Sequence, residues 1–134
     1  MDIKEFRGRF VFTKRREELL RLFLDEMKTV RSQCERVRVL VFGSFITGKE
    51  EPADMDVLLS ILPNRDNVYR LYTSTLEREH PREIDVQYVK STWRLRTAES
   101  LLAFFNRNPI NVKKGVRVTE AVELTGLVIE RDGV

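Results

Sequence analysis

Two short apolar runs on either side of a glycine-containing turn most constrain what this chain can fold into. The first run, residues 37–42, is rich in valine and ends at Gly43, and the second covers residues 55–62. Branched apolar runs of this length, bounded by turn residues, are typical of buried strands. Residues 47–53 contain glycine, proline and several charged side chains, which predicts a surface loop. We therefore expect two buried strands joined through a turn and a loop.

Hydrophobic periodicity predicts the other elements. After Thr13, apolar side chains recur at steps of three and four residues, which indicates an amphipathic helix. Asn64 is a suitable cap for a second helix, and residues 83–88 alternate between polar and apolar side chains as a half-buried strand does. The predicted helices cover 14–33, 65–80 and 98–105, the predicted strands cover 37–42, 55–62 and 83–88, and the tail from 116 to 129 adds one or two more. This order predicts an α/β fold built on a small sheet.

The composition is that of one globular domain over residues 1–134, with room for a single core but little for a second module. No apolar stretch is long enough to cross a membrane, and the N-terminus lacks the continuous apolar segment of a signal peptide. The single cysteine, Cys34, cannot form an internal disulfide, and with the single His80 it cannot build a zinc cage. We therefore expect a cytoplasmic protein. The net charge of +3 is too small to demand a nucleic-acid partner.

Three aspartates lie at or near the predicted strand ends. Residues two apart on a strand point to the same side, so Asp54 and Asp56 are expected to present both carboxylates to one space. Asp85 lies between two apolar residues of the third strand and is the expected third acid, while Glu83 is its competitor and is expected to be a rim charge. Grouped carboxylates are the ligands with which proteins hold magnesium together with substrate phosphates, and paired ions can assist displacement at phosphorus. The pattern thus indicates a magnesium site.

The turn after the first strand supplies groups that suit a phosphate. Gly43 lets the backbone approach closely because it has no β-carbon, and Ser44 offers both its N–H and its hydroxyl. If Ser44 begins a short helix, the phosphates would also meet free N–H groups at its start. We therefore predict Gly43 and Ser44 as nucleotide-binding residues, with Lys49 of the next loop as a less favoured contact.

Together these residues resemble a known signature. Gly43-Ser44, nine residues, and Asp54-Met55-Asp56 before an apolar run is similar to the pattern of the polymerase-β-like nucleotidyltransferase superfamily. In that superfamily the third acid lies on a later strand in an apolar setting, as Asp85 does here. The resemblance covers about residues 37–89. The first predicted helix and the segment GSFITGKEEPADMDV are also similar to small stand-alone nucleotidyltransferase-like proteins and to the minimal nucleotidyltransferases of toxin–antitoxin pairs.

The resemblance implies a nucleotidyltransferase-like fold with a small mixed sheet flanked by helices. It implies transfer of a nucleoside monophosphate from a nucleoside triphosphate, such as ATP, to a hydroxyl of a protein, an RNA or a small molecule, with release of pyrophosphate. Asp54, Asp56 and Asp85 would bind two magnesium ions, and Gly43 and Ser44 would hold the phosphates. Larger members carry a helical domain for the acceptor, for which this chain has little room. A second copy of the chain could complete the acceptor cleft, and a toxin is a further candidate partner.

Two other classes of function stay open at this point. The chain can be a non-catalytic partner protein, antitoxin-like or regulatory, that keeps the fold for protein contact. A small RNA-binding domain is less favoured, because the charge is modest and no basic and aromatic platform is evident. The sequence does not choose among the four nucleoside triphosphates and names no acceptor.

Overall fold

A computed structural model of the chain describes residues 1–48, 51–63, 83–92 and 95–126. Within these ranges the chain forms four α-helices, four strands and one 3₁₀ turn. In chain order they are α1 (Ile3–Phe10), α2 (Lys14–Gln33), β1 (Cys34–Phe42), the 3₁₀ turn Gly43–Ile46, β2 (Met55–Pro63), β3 (Ile84–Lys90), α3 (Ala98–Arg107), α4 (Pro109–Lys113) and β4 (Ala121–Leu124).

The strands form one mixed sheet in the order β3-β2-β1-β4. β1 runs antiparallel to both β2 and β4, whereas β2 and β3 are parallel. The mixed sheet with flanking helices confirms the predicted fold class. The predicted helix over 65–80, the loop residue Lys49 and the end of the predicted tail strand lie outside the described residues.

The helices begin where side chains can accept the free N–H groups of a first turn. Thr13 accepts from the Arg16 N–H at the start of α2, and Asp2 accepts from the Glu5 N–H in α1. At α3, Thr97 and Ser100 form a reciprocal capping box. Periodicity alone did not identify α1, because the helix is only eight residues long. Its two buried residues, Phe6 and Phe10, are too few to show a helical repeat.

Each face of the sheet packs against helices. Helices α1 and α2 cover one face, and α3 covers part of the other. The first core contains Phe6, Leu20, Phe23, Met27, Val41, Val57, Leu59 and Val86, and the second contains Leu40, Phe42, Leu58, Leu101 and Phe105. A sheet buried on both faces explains why β1 and β2 are apolar runs without alternation.

Some boundaries differ from the predicted ones for local reasons. β1 begins three residues earlier than predicted, and in the described part of the tail residues 116–118 are not in a strand, whereas Ala121–Leu124 form β4. α3 extends two residues beyond the predicted end at 105, and Pro109 then starts α4, since proline suits the first turn of a helix. None of the described helices is long and apolar enough to cross a membrane.

Candidate functional site

The parallel pairing of β2 and β3 brings two of the three predicted acids together. Side chains alternate along each strand, so Met55 and Ile84 enter the first core while Asp56 and Asp85 project from the opposite face. The register pairs Asp56 directly with Asp85. The backbone N–H of Met55 donates to the Glu83 carbonyl at 2.7 Å, which fixes the ends of both strands beside the acids.

The electrostatics of Asp56 reflect this crowding. Partial burial, the negative charges of Asp54 and Asp85, and a hydrogen bond with the Asp85 side chain raise the pKa of Asp56 to about 7. A hydrogen bond between two carboxyl groups requires a shared proton. Asp56 and Asp85 therefore form a carboxyl pair that is under like-charge repulsion when both groups are ionised.

Asp54 stands apart from this pair. It lies just before β2 rather than on it, so strand alternation does not fix its direction, although its charge acts on Asp56. Among the described residues, no three His, Cys, Asp or Glu side chains are grouped closely enough to hold a metal ion as they stand. The described chain thus supplies a carboxyl pair with Asp54 as a third charge, and neither Asp54 nor Glu83, the competing acid, lines the cleft described below.

Gly43 contacts the same pair from β1. Its φ is +74°, a left-handed conformation that favours glycine, and it follows directly after Phe42, which pairs with Asp56 across β1 and β2. A β-carbon on Gly43 would overlap Oδ2 of Asp56 and lie 3.2 Å from its Cγ. Glycine is therefore required here for the close approach of the turn to Asp56, a different reason from the phosphate contact that the sequence suggests.

Ser44 occupies the second position of the 3₁₀ turn. The turn is only four residues long, so the predicted short helix is present but offers little of a helix dipole. The Ser44 carbonyl accepts from the Thr47 N–H at 3.3 Å and from the Thr47 hydroxyl at 2.9 Å. Ser44 itself is half-buried and does not line the cleft, whereas Gly43 does.

A cleft of about 540 Å³ lies over the carboxyl pair. The sheet contributes Phe42, Asp56, Asp85 and Gln87 to it, and the segment from Asn111 to Glu120 contributes the other side. Phe105 of α3 closes one end by packing against Phe42, with ring centroids 5.3 Å apart. The cleft is thus a built feature of the fold, between the sheet and the chain that follows α3.

Two cations of the cleft were missed by sequence reasoning. Lys114 and Arg117 both line it, and within the described residues neither side chain forms an ion pair or a hydrogen bond. Glu120 lines the same side and partly offsets their charge. The cleft therefore has carboxylates on the sheet and two cations on the facing segment, an arrangement suited to a phosphate ester with bound metal.

Two asparagines hold this cationic segment in place. Asn106 donates to the Val118 carbonyl and accepts from the Val118 N–H, both at 2.8 Å, so its amide pairs with the backbone like a strand neighbour. Buried Asn111 donates to the Phe105 carbonyl at 2.9 Å and accepts the Val116 N–H on its own carbonyl. The basic run Lys-Lys-Gly-Val-Arg, residues 113–117, is visible in the sequence and could have marked these cations. Its proximity to the aspartates is not visible there, because it depends on tertiary contacts.

Comparison with known proteins identifies a family whose function is unknown. A family model described as "Family of unknown function (DUF6932)" matches residues 1–124. The chain belongs to this family. No curated protein and no solved structure matches the chain. For this DUF6932 member, the argument for function therefore depends on the residues of the cleft.

The close contact between Gly43 and Asp56 predicts a specific effect of adding one methyl group. Gly43→Ala should lower the free energy of unfolding by about 1–2 kcal/mol for the left-handed backbone and by about a further 1–3 kcal/mol for overpacking against Asp56. Gly126→Ala is the matched control, because Gly126 also has a positive φ but a β-carbon there would meet open space. Chemical denaturation of both variants checks this: equal losses would contradict the contact.

The raised pKa of Asp56 predicts a pH dependence of the metal-free protein. The folded pKa of about 7 exceeds the unfolded value near 3.8, so this group's contribution to stability is greatest in acid and is lost as pH rises through 7. In EDTA, Asp56→Asn should be more stable than the wild type at pH 8, by on the order of 1 kcal/mol after solvent screening, and the difference should shrink toward pH 5. Exposed Asp25→Asn should show no such trend, and a pH-independent difference for Asp56→Asn would contradict the assignment.

Proposed function

We propose that this chain is a magnesium-dependent nucleotidyltransferase, which transfers a nucleoside monophosphate from a nucleoside triphosphate to a hydroxyl group and releases pyrophosphate. The observation that supports it best is the Asp56–Asp85 carboxyl pair on the floor of a cleft whose other side carries Lys114 and Arg117. A cleft with separate acidic and basic sides suits a metal-bound triphosphate, because carboxylates bind the metal and cations bind the phosphate oxygens. The resemblance of residues 37–89 to nucleotidyltransferases supports the same assignment.

The donor chemistry of the site fits magnesium. Asp54, Asp56 and Asp85 offer only carboxylate oxygens, and the repulsion that raises the pKa of Asp56 is the repulsion that a divalent cation relieves. These three residues would hold the metal, with Asp54 joining the existing pair. When bound, magnesium would neutralise phosphate charge and stabilise the attacking and leaving oxygens.

The chain's own residues would then perform the remaining tasks. Lys114 and Arg117 would hold the phosphates that leave as pyrophosphate, and Gly43 would set the distance between the turn and the reacting face. The acceptor oxygen forms a bond to the α-phosphorus as the bond from that phosphorus to the bridging oxygen breaks. We assign the proton of the acceptor hydroxyl to the exposed Asp85 carboxylate.

The rival proposal is a non-catalytic partner protein, either antitoxin-like or regulatory, with the same fold. This rival does not explain the crowded carboxylates. Like charges close together in a half-buried site lower the stability of the fold and do not help it to contact another protein. An RNA acceptor, a protein acceptor such as a toxin partner, and completion of the cleft by a second copy remain alternatives within the first proposal. A cytoplasmic setting suits it, since nucleoside triphosphates and magnesium are available there.

Pyrophosphate release tests the proposed reaction directly. The full chain with magnesium, each nucleoside triphosphate and a mixture of protein and RNA acceptors should release pyrophosphate, and EDTA should abolish the release. Asp56→Asn and Asp85→Asn should each lower the rate by about 100-fold or more, because each removes a metal ligand. Asp25→Asn is the matched control. Release that is equal in the wild type and in Asp56→Asn, or absent from both, would contradict the proposal.

The cationic side of the cleft gives a second test. Lys114→Gln and Arg117→Gln should each raise KM for the triphosphate by about tenfold, since each removes a charge-assisted contact to phosphate. The neighbouring Lys113→Gln is a close control, because Lys113 is exposed but does not line the cleft. Raising the salt concentration should reduce the difference between Lys114→Gln and the wild type. Equal effects at Lys113 and Lys114 would mean that general charge, not the cleft, binds the nucleotide.

A further inference from the structure

A fully buried arginine of α2 lies behind the turn that follows β1. Arg16 has no exposed surface, and its guanidinium donates to four backbone carbonyls. Nη1 donates to the Phe10 carbonyl at 2.8 Å and to the Phe45 carbonyl, and Nη2 donates to the carbonyls of Ser44 at 3.3 Å and Thr47 at 2.9 Å. Three of these four acceptors lie in the segment formed by the 3₁₀ turn and Thr47 directly after it, which is called the Gly43–Thr47 turn below.

The aromatic surroundings fix the plane of the same guanidinium. Its central carbon lies 4.2 Å from the Phe12 ring centroid and 5.0 Å from that of Phe45. Phe45 in turn stacks on Phe6 of α1, with the ring planes 1° from parallel and the centroids 5.7 Å apart. The turn is therefore held by its carbonyls and by its one buried side chain.

The preceding residue performs a similar task for the loop before Asp54. Arg15 Nη2 donates to the Ala53 carbonyl at 2.8 Å, and its Nε donates to the Pro52 carbonyl at 3.4 Å. The Ala53 carbonyl and the Asp54 nitrogen belong to one planar peptide group, so this contact fixes the plane from which Asp54 continues. Arg15 also lies 3.7 Å from Glu18, a partly exposed pair of little energetic weight.

Stability alone does not account for this use of two arginines. Burying a guanidinium is costly unless its donors are satisfied, and a well-packed apolar residue often gives equal or greater stability. The planar fork of arginine can reach several carbonyls at once, which a lysine ammonium cannot reproduce. Arg15 and Arg16 are adjacent on α2 and donate to the two backbone segments that flank the site. These contacts fix the positions of both segments.

We propose that Arg15 and Arg16 are positioning residues of the candidate site, with Arg16 setting the Gly43–Thr47 turn and Arg15 setting the approach to Asp54. The assignment depends on the proposed function for its kinetic consequences. Arg16 holds Gly43 at the distance from Asp56 that the cleft requires. Arg15 sets the direction from which the Asp54 carboxylate reaches the Asp56–Asp85 pair.

Lysine substitutions separate positioning from charge. Arg16→Lys should raise KM for the triphosphate by about tenfold with kcat changed less than about threefold, because the turn is displaced while the carboxylates remain. Arg15→Lys should raise the magnesium concentration for half-maximal rate by about fivefold, with little change in KM for nucleotide. Arg21→Lys, an exposed arginine on the same helix, is the matched control.

Amide hydrogen exchange provides a readout that does not need activity. Arg16→Lys should accelerate exchange at residues 44–48, and Arg15→Lys at residues 53 and 54, by about tenfold or more, while amides of β1 and β2 keep their protection. If the wild type releases no pyrophosphate but these local changes occur, the proposed function fails and the positioning roles stand. If both variants only lower the melting temperature, with uniform exchange and unchanged kinetics, the positioning roles are overturned. Should Arg16→Lys fail to fold, Arg15→Lys decides the outcome.

Discussion

The pairing of Asp56 with Asp85 across two parallel strands is the constraint on which the rest of the site depends. Parallel register places the two carboxyl groups side by side, and the φ of Gly43 brings a third backbone segment against Asp56 with no room for a β-carbon. The partial burial of Asp56 and the repulsion between the acids both disfavour a doubly ionised pair. The Arg16 contacts fix the turn beside this pair, and Lys114 and Arg117 of the cationic segment offset part of its charge.

The two faces of the sheet have different roles. Helices α1 and α2 cover one face with large apolar side chains, and α2 also provides the arginines that hold the loops at the end of the sheet. Among the described residues, α3 covers part of the other face, and a cleft lies between the sheet beside Phe42 and residues 111–120. A rigid layer behind an open face is how a small fold can keep crowded carboxylates in position without closing the cleft.

The sequence predicts the strands and the acids better than it predicts the cleft. The α2 helix follows from apolar residues at steps of three and four, β3 follows from its alternation, and β1 and β2 follow from short apolar runs bounded by turn residues. The role of Lys114 and Arg117 could not be read in this way. Their position relative to the aspartates depends on Asn106 and Asn111, whose side chains act as backbone partners in a segment without regular structure. The reason for Gly43 was also hidden, because it concerns a contact with Asp56, thirteen residues further along the chain.

The cost of this arrangement bears on the choice between an enzyme and a partner protein. A protein that uses only its outer surface gains nothing from a carboxyl pair whose pKa is raised to about 7, from a glycine held in a left-handed conformation against it, or from a fully buried guanidinium. Each of these features lowers stability unless a ligand or a precise backbone position offsets the loss. All three meet at one end of the sheet, beside two cations that face the acids. Such local concentration of unfavourable choices is expected where a protein binds a charged ligand and favours chemistry in the cleft over a purely structural role.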